Sequence, residues 1–285
     1  MNSESTFVSW EAAVESLRND PERQQLVRFS YYDDPVHVAA ERYQASEEWQ
    51  AVRTWLRGRS GTSLDVGAGR GIASYAMARE GFRVTALEPD PSDVVGAGAI
   101  RALANETGVA LEVVEEFSER LPFADATFDI LFARAVLHHT TDLQAACREF
   151  FRVLKPGGRL IAVREHVISR REDLPAFLSA HSLHALYGGE NALLLHEYTG
   201  ALDSAGFTLT STLRPLASPI NYFPQTKDSL REEVIARLGK VPGCAILLRS
   251  LFAMPMVFSL ALRVLSLVDR RPGRLYSFIA DRPVA

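Results

Sequence analysis

The chain has 285 residues, of which 47% are hydrophobic and 23% charged, a balance typical of one large globular domain or a domain with an insertion. The formal net charge of −4 excludes a basic field over the whole molecule, so we expect no nucleic-acid partner. Two cysteines are too few for a disulfide framework or a cysteine zinc cluster. The N-terminus has early acids and no basic segment before an apolar run, which favours a cytoplasmic location.

Residues 1–60 are predicted to form an N-terminal helical lid or cap, because apolar side chains recur at helical spacing in residues 10–17 and 49–56. An aromatic turn between these helices contains Tyr31 and Tyr32. We predict that this turn closes over a ligand and that the two tyrosines contact the substrate. The alternative is that they only anchor the preceding helix.

Residues 61–165 alternate between strand and helix patterns, which predicts a parallel sheet covered by helices on both faces. The predicted strands are Thr62–Val66, Arg83–Leu87, Leu111–Val114, Phe128–Phe132 and Leu160–Val163. The predicted helices are Ile72–Arg79, Pro91–Asn105 and Asp142–Leu154, and a Lys155-Pro156-Gly157-Gly158 turn ends the last one.

Residues 166–285 are predicted to hold the remaining core strands and two helical insertions on the substrate side. The strands are Thr208–Leu213 and Leu275–Ala280, and the insertions cover about 174–205 and 214–274, with helices near Leu174–Leu186 and His196–Ala205 in the first.

A glycine-rich loop follows the first predicted strand, in the segment Leu64-Asp65-Val66-Gly67-Ala68-Gly69-Arg70-Gly71. Such a loop lets a ligand approach the backbone at a helix N-terminus, in many nucleotide-binding folds. The next strand ends at Glu88, 21 residues after Gly67, where a carboxylate accepts both hydroxyls of a ribose. A nicotinamide-dependent dehydrogenase also has this acid, but its loop favours glycine or alanine where this chain has Ile72, and Asp65 suits a cofactor with a cationic head better than a second phosphate.

Four segments in this order resemble the successive motifs of the class I S-adenosylmethionine-dependent methyltransferases. They are Leu64–Gly71, Thr85–Asp90, the stretch from Leu121-Pro122-Phe123 to Phe128-Asp129, and Phe151–Leu160. The chain resembles most the small-molecule type represented by the ubiquinone and menaquinone biosynthesis enzymes. The resemblance implies an α/β fold, with a Rossmann-like, doubly wound, seven-stranded sheet whose last strand is antiparallel.

The resemblance also implies S-adenosylmethionine as the cofactor, with its methionine part in the glycine loop and its ribose at Glu88. The predicted cofactor-binding residues are Asp65, Gly67, Ala68, Gly69, Gly71, Glu88, Pro89, Glu116, Phe117, Ser118, Arg134 and Ala135. Phe117 departs from the family pattern, which often has an adenine-binding acid there. Either Glu116 replaces that acid, or backbone groups and the Phe117 ring hold the adenine.

His138 and His139 follow the fourth predicted strand, at the edge of the sheet where ligands bind. A histidine there can take a proton from a substrate hydroxyl or amine during methyl transfer, so both are predicted catalytic residues. The alternative is that they shape the pocket, since methyl transfer depends mostly on positioning.

Polar side chains in the first insertion and after the fifth strand are predicted to bind the substrate. They are Glu165, His166, Tyr187 and Asn191, with Glu190 also able to form hydrogen bonds; satisfying the loop backbone is the alternative role. His181, His184 and His196 invite comparison with a metal site, but no cysteine or carboxylate completes a compact set of ligands. We therefore predict no metal.

The C-terminal region 239–282 is apolar and basic, with seven basic side chains against two acidic ones. Its longest uncharged run, Ser250–Leu262, is shorter than the roughly 20 residues of a membrane span. A basic amphipathic hairpin in 241–268 would suit a membrane surface, whereas covering the substrate pocket or forming a homodimer contact is the simpler role.

The chain is therefore predicted to transfer a methyl group from S-adenosylmethionine to an oxygen or nitrogen atom of a small molecule. Three alternatives stay open: a membrane-surface methyltransferase acting on a lipid- or glycan-linked substrate, an NAD-dependent oxidoreductase, and a cofactor-binding module without turnover.

Overall fold

The computed structural model describes residues 7–239 and 244–284. Four helices precede the sheet: α1 (Trp10–Arg18), α2 (Gln24–Phe29), α3 (Val36–Ala45) and α4 (Glu47–Leu56). Strands and helices then alternate as β1 (Thr62–Val66), α5 (Ile72–Arg79), β2 (Arg83–Leu87), α6 (Ala97–Thr107), β3 (Leu111–Val114), β4 (Phe128–Arg134), α7 (Leu143–Val153) and β5 (Leu154–Ile168).

The remaining elements complete the sheet and carry the insertions. They are α8 (Leu174–Ala180), α9 (His184–Tyr187), β6 (Leu193–Leu194), α10 (Leu195–Ser204), β7 (Thr208–Leu213), α11 (Pro219–Tyr222), α12 (Lys227–Leu238), α13 (Cys244–Phe252), α14 (Pro255–Val268) and β8 (Arg274–Asp281).

The main path of the sheet has the strand order β3-β2-β1-β4-β5-β8-β7. The first five strands on this path are parallel, and β8 is antiparallel to both of its neighbours. The predicted doubly wound, seven-stranded sheet with an antiparallel last strand is confirmed. The two-residue strand β6 adds a short parallel pairing at the end of β5.

Each face of the sheet is covered by helices that bury large side chains. On one face α7 and α10 contribute Phe150 and Tyr198 to the core, and both side chains are fully buried. On the other face α3, α4 and α5 contribute Tyr43, Trp49 and Met77. Because α3 and α4 pack directly on the sheet, the helices before residue 60 form part of the main hydrophobic core.

Several predicted boundaries differ from the structure. Helix α6 begins at Ala97 rather than at Pro91, because the Asp90 carboxylate accepts a hydrogen bond from the Ser92 N–H (2.8 Å) and holds this segment in a turn. The predicted helix 174–186 is split into α8 and α9. The fourth strand continues beyond Phe132 to Arg134.

The fifth strand is much longer than predicted. It begins directly after α7, and the segment 155–158 forms an irregularity inside it, with φ of 78° at Gly157, instead of a separate turn. It also continues past the apolar run, since Glu165 and His166 pair with β8.

The second insertion forms a small helical unit of its own. Helices α12, α13 and α14 pack around Phe252, Phe258 and Leu262. None of the described helices is long and apolar enough to cross a membrane, and the apolar pair α13 and α14 is bent by 109°.

Candidate functional site

A cavity of about 570 Å³ lies at the C-terminal ends of β1, β2 and β4. The order of the strands reverses between β1 and β4, and open parallel sheets bind ligands at such a point. The predicted site residues that line the cavity are Tyr31, Tyr32, Asp65, Gly67, Ala68, Gly69, Glu88, Pro89, Glu116, Phe117, Ser118, Arg134, Ala135, His138, His139, His166 and Tyr187.

The first glycine of the loop, Gly67, occupies a position where a side chain does not fit. Gly67 has φ of 59°, and a Cβ atom at this position would lie 2.8 Å from a methyl group of Val136. At Gly69, by contrast, the atom nearest to an added Cβ is 3.9 Å away. The loop backbone thus faces open space in the cavity, where a ligand can approach it closely.

Glu88 extends from the end of β2 toward this loop. Its carboxylate accepts hydrogen bonds from the N–H groups of Gly69 (2.7 Å) and Asp90 (3.0 Å). Burial raises the pKa of Glu88, although these two N–H donors act in the opposite direction. Each carboxylate oxygen keeps further acceptor capacity, which fits the two hydroxyls of a ribose.

Asp65 is a buried carboxylate beneath the loop. Its Oδ2 accepts a hydrogen bond from the Ser74 hydroxyl (2.6 Å). Burial raises the pKa of Asp65 to about 7, against the lowering effect of that hydrogen bond. A carboxylate that is costly to ionise here gains stability from a cationic ligand, which fits the amino group of a methionine moiety.

Arg134 lines the cavity, but its charge is paired with a residue of α4. Its Nε and Nη2 donate to the two carboxylate oxygens of Glu48 at 2.7 and 3.1 Å, and the Glu48 side chain is fully buried. The guanidinium also lies over the rings of Tyr31 and Tyr43. Arg134 therefore holds the cavity wall to the N-terminal helices.

Arg70 is a residue of the site to which the sequence assigned no role. Its buried guanidinium donates to the backbone carbonyls of Tyr31 (3.0 Å) and Asp33 (2.8 Å) and pairs with Asp34. The glycine loop is thereby fixed to the aromatic turn of residues 31–34. A charge inside a glycine-rich loop was the only signal in the sequence.

The two predicted substrate-contacting tyrosines have different surroundings. The ring of Tyr31 is 1% exposed and stacks on Phe223, so it acts mainly as a packing anchor. The ring of Tyr32 packs edge-on against Trp10 of α1, which also packs against Tyr187 at the other side of the cavity.

The segment after β4 positions the predicted catalytic histidines. Ala135 has φ of 58° and donates to the Val163 carbonyl (2.8 Å), which turns the chain into a short 3-10 helix, Leu137–His139. His138 is buried, and its Nδ1 lies 2.6 Å from the carboxylate of Glu165. The carboxylate accepts this hydrogen bond, so Nε2 of His138 is left with a free lone pair.

Glu165 was predicted to contact the substrate, but it lies behind His138 and does not line the cavity. It is fully buried and also accepts hydrogen bonds from the N–H groups of Val136 and His138, both at 3.1 Å. The chain is irregular at Arg164, and successive strand residues face opposite sides, which brings His166 rather than Glu165 into the cavity.

Burial sets the protonation of this part of the cavity. It lowers the pKa of His138 well below its usual value and that of His166 to about 3, and it raises the pKa of Glu165 to about 7. The two histidines are therefore neutral imidazoles at neutral pH.

Glu190 and His181 complete the wall next to these histidines. Glu190 Oε2 lies 3.8 Å from Nε2 of His138 and 3.9 Å from Nε2 of His139, and Glu190 Oε1 lies 3.8 Å from Nδ1 of His181. The prediction named Glu190 only as a polar residue and considered His181 with His184 and His196. The latter two do not line the cavity.

Two other predicted site residues have structural roles instead. Gly71 lies directly before α5 and has φ of 79°. A Cβ atom at this position would lie 3.1 Å from the side chain of Ile100, so glycine lets the start of α5 pack closely on α6. The side-chain oxygen of Asn191 accepts a hydrogen bond from the N–H of Ala192. Neither residue lines the cavity.

The second insertion does not cover this cavity. Among the residues that the structure describes, none from 214–274 lines it, and Leu275 in β8 is the C-terminal residue that does. The prediction that this insertion covers the substrate pocket is wrong within those residues. The insertion packs on α4 instead, and its helix α11 makes that contact.

Comparison with known families now bears on this geometry. Residues 64–162, which contain the glycine loop, Glu88 and both catalytic candidates, match the family described as "Methyltransferase domain". Residues 64–162 of the chain therefore form a methyltransferase domain. The family and the S-adenosylmethionine cofactor predicted from the sequence are thereby confirmed.

Curated relatives of this methyltransferase domain include two kinds of biosynthetic enzyme. The chain is 32% identical over 161 residues to a ubiquinone biosynthesis O-methyltransferase of Methylobacterium nodulans, covering 55% of this chain and 64% of the relative. It is 32% identical to a ubiquinone/menaquinone biosynthesis C-methyltransferase of Brucella anthropi, covering 51% and 59%. The matches therefore span less than two thirds of these relatives' lengths.

Solved structures with the same fold include proteins of different activity. Geranyl diphosphate C-methyltransferase from Streptomyces coelicolor matches with a TM-score of 0.57 at 18% identity, covering 93% of this chain and 88% of that chain. The cyclase SpnF matches with a TM-score of 0.55 at 23% identity, covering 87% and 82%. At these identities the likeness shows the fold, and the fold does not fix the reaction.

Proposed function

We propose that the whole chain transfers a methyl group from S-adenosylmethionine to a small-molecule acceptor at an oxygen or nitrogen atom. The observation that carries this proposal is that one continuous cavity joins the glycine loop and Glu88 to a wall of neutral imidazoles. One end suits a nucleoside with a cationic head, and the other suits a polar nucleophile that loses a proton.

We assign cofactor binding to the first end of the cavity. Glu88 accepts the ribose hydroxyls, Asp65 and the loop backbone hold the methionine part, and the segment 116–118 lies beside the adenine. Phe117 is 68% exposed and lines the cavity, which supports a ring contact with the base. When bound, the cofactor supplies an electrophilic methyl group on a sulfonium.

The acceptor is assigned to the other end. Tyr32, His166 and Tyr187 line it and offer groups that form hydrogen bonds with a polar molecule. The proposed proton acceptors are His138 and His139, whose Nε2 atoms face Glu190. Glu165 is a positioning residue, because it fixes the ring of His138 from behind.

Calorimetry with S-adenosylhomocysteine and NADH tests the cofactor assignment. We expect micromolar binding of the first and none of the second; the reverse result would establish the oxidoreductase alternative and reject the proposal. Transfer of isotope-labelled methyl from S-adenosylmethionine to a panel of phenols, alcohols and amines then tests turnover. Cofactor binding with no transfer to any acceptor class would support the alternative of a binding module.

A second candidate is a methyltransferase that works at a membrane surface. Helices α13 and α14 expose Ile246, Leu247, Met256, Leu260 and other large apolar side chains, and Met256 is 85% exposed. Arg249 and Arg263 lie in the same two helices. Anionic lipid headgroups attract such a combination of apolar and basic side chains. Residues 241–243 of the proposed segment lie outside the described residues. The proposed cytoplasmic location is compatible with such peripheral binding.

Co-sedimentation with phosphatidylcholine and phosphatidylglycerol vesicles tests this candidate. We expect the intact protein to sediment and the variant Leu247→Ser/Met256→Ser/Leu260→Ser to stay in solution. Val284→Ser, which changes an equally exposed apolar side chain elsewhere, is the matched control. A protein that forms a homodimer in solution through this face and ignores vesicles would reject membrane binding and support the dimer contact.

A further inference from the structure

Four histidines and one glutamate converge at the acceptor end of the cavity. The ring centres of His138 and His139 are 4.2 Å apart, those of His138 and His166 are 4.8 Å apart, and those of His166 and His181 are 5.3 Å apart. Glu190 approaches this group with both carboxylate oxygens. The proposed function uses His138, His139 and His166, but it assigns no role to His181 or Glu190, and proton transfer does not require so many groups in one place.

The hydrogen bonds behind two of these rings leave the same nitrogen free. Nδ1 of His138 donates to Glu165 (2.6 Å), and Nδ1 of His139 donates to the Gly189 carbonyl (3.0 Å). The Gly189 carbonyl only accepts hydrogen bonds, and both oxygens of Glu165 already accept backbone N–H groups, which favours its carboxylate form. Each Nδ1 therefore carries its hydrogen and each Nε2 presents a lone pair. Metal-binding histidines are almost always fixed in this way by an acceptor behind the ring.

His166 follows the same pattern from a different strand. Its Nδ1 lies 2.8 Å from the Gly273 carbonyl, which accepts its hydrogen. Its Nε2 is therefore also left with a lone pair, in a ring that lies edge-on to His138.

Glu190 supplies an independent indication of a missing ligand. Its Oε1 accepts a hydrogen bond from the Tyr187 hydroxyl (2.8 Å), but its buried Oε2 has no hydrogen-bond partner within residues 7–239 and 244–284. The Glu190 side chain is 6% exposed. Burying a carboxylate oxygen without a donor or a cation is costly, and two imidazole lone pairs beside it supply neither.

We propose that Glu190 Oε2 and the Nε2 atoms of His138 and His139 bind one divalent transition-metal cation such as Zn²⁺. Metal bonds of about 2.0–2.1 Å place tetrahedral ligand atoms about 3.4 Å apart. The distances of 3.8 and 3.9 Å from Glu190 to the two histidines therefore need only a small inward movement of the side chains.

The donor set decides the kind of cation. Two imidazole nitrogens and one carboxylate suit zinc, iron(II) or cobalt(II), whereas magnesium and calcium prefer oxygen ligands alone. His166 and His181 form a second group of possible ligands around the same Glu190, and these atoms all lie within 4.8 Å of one another. A three-residue site leaves a coordination position open for a ligand from the cavity.

This site also narrows the acceptor, an argument that rests on the proposed methyl transfer. A cation held here would lower the pKa of an acceptor hydroxyl bound to it, so that water could take the hydroxyl proton. The hydroxyl oxygen then forms the bond to the methyl carbon, while the carbon–sulfur bond breaks and its electron pair stays on sulfur. With the Nε2 lone pairs of His138 and His139 bound to the cation, water rather than an imidazole would accept this proton, and such a site would favour hydroxyl acceptors over amines.

Titration of the full-length protein, without a histidine tag and freed of metal with EDTA, tests the site at neutral pH. We expect ZnCl₂ to bind at a single saturable site by calorimetry and CoCl₂ to give the visible absorption bands of a low-symmetry site. Glu190→Gln and His139→Ala should each weaken zinc binding by about 100-fold or more. Glu165→Gln, which changes only the acceptor behind His138, should weaken it by about 10–100-fold.

Two controls separate this site from non-specific binding and from unfolding. His196→Ala removes an exposed histidine outside the cavity and should leave zinc binding unchanged. The affinity for S-adenosylhomocysteine, measured in every variant, should stay within about twofold of wild type and so shows that the domain is folded. His139 is the most exposed ligand, which makes its variant the least disruptive.

Absence of saturable zinc binding to the wild type, or equal binding by Glu190→Gln and wild type, would overturn the proposal. The proposed function fails separately: it is rejected if S-adenosylhomocysteine does not bind, whatever zinc does. If zinc binds as expected while methyl transfer is insensitive to its removal, the site is retained and its assigned role with hydroxyl acceptors is rejected.

Discussion

The two ends of the cavity are built in different ways. Most of the cofactor end is made from one stretch of chain, residues 65–88, in which a strand, a glycine loop, a helix and a second strand follow each other, and the segment 116–118 adds the side proposed for the adenine. Its polar groups are backbone N–H groups and two carboxylates, Asp65 and Glu88. Its shape is set locally and is completed by a few contacts with the N-terminal turn.

The acceptor end is assembled from three separate segments. His138 and His139 follow β4, His166 lies in β5, and His181 and Glu190 lie in the first insertion. Its polar groups are side chains whose positions depend on one another. The comparison indicates that the cofactor end is defined by a continuous motif, whereas the acceptor end exists only in the folded chain.

The largest expected effect tests whether the two ends are independent. Glu88→Ala removes the acceptor for two backbone N–H groups and for the ribose hydroxyls, and hydrogen bonds to a charged group contribute about 1.5–3 kcal/mol each. We expect the affinity for S-adenosylhomocysteine to fall by about 100-fold or more and zinc binding to stay unchanged, both by calorimetry. Glu106→Ala, an exposed acid in α6, is the control; equal cofactor binding by Glu88→Ala and wild type would end the ribose assignment.

A smaller effect is expected at Asp65, where stability and binding should change in opposite directions. A carboxyl whose pKa is raised to about 7 costs stability as pH rises through that value, so Asp65→Asn should unfold at higher urea concentration near neutral pH. Its affinity for S-adenosylhomocysteine should fall by about 10-fold, because the cationic head loses its counter-charge. Glu115→Gln removes an exposed carboxylate as a control. An Asp65→Asn variant that is less stable than wild type and binds S-adenosylhomocysteine equally tightly would contradict this role.

The smallest effect is a pH dependence at the acceptor end. The pKa of His166 is about 3 in the folded protein and about 6.5 when unfolded, so the unfolded chain binds more protons between these values. Stability is therefore full above about pH 6.5 and falls as the solution becomes more acidic. One such histidine lowers the free energy of unfolding by about 1 kcal/mol when the pH falls from about 7 to about 5.5.

Urea unfolding of wild type and His166→Asn at both pH values measures this contribution. The variant should lose less stability than wild type on acidification, and His196→Asn should behave as wild type does. Identical pH dependence in His166→Asn and wild type would show that His166 is not held neutral by burial.

Much of the sheet was predictable from the sequence because its strands are short apolar runs bounded by turns. The bounds of β1, β2 and β3 agree with the structure to the residue. The fifth strand was predicted too short, since polar segments interrupt it on both sides of Leu160–Val163. Pairing with β4, β6 and β8 extends it from Leu154 to Ile168. Long-range pairing of this kind leaves no local pattern.

The cofactor end was predictable in its parts and their arrangement, whereas at the acceptor end His138, His139 and His166 were predicted as site residues but their grouping was not. Asp65, Gly67 and Glu88 stand at spacings that a motif specifies. Glu165 and His166 are adjacent in the sequence, but the irregularity at Arg164 decides which of them faces the cavity. The grouping of His181 with histidines of two other segments depends on the fold, so the sequence offered no compact ligand set.

Arg70 has a consequence for how this protein can be divided or recombined. The part that matches the methyltransferase family begins at residue 64, but Arg70 inside it is satisfied by carbonyls of Tyr31 and Asp33. A chain that begins at residue 64 would leave this guanidinium without its acceptors. It would also expose the face of the sheet on which Trp49 packs. The N-terminal helices and the glycine loop thus depend on contacts with each other, and a chimera that exchanges one has to exchange the other.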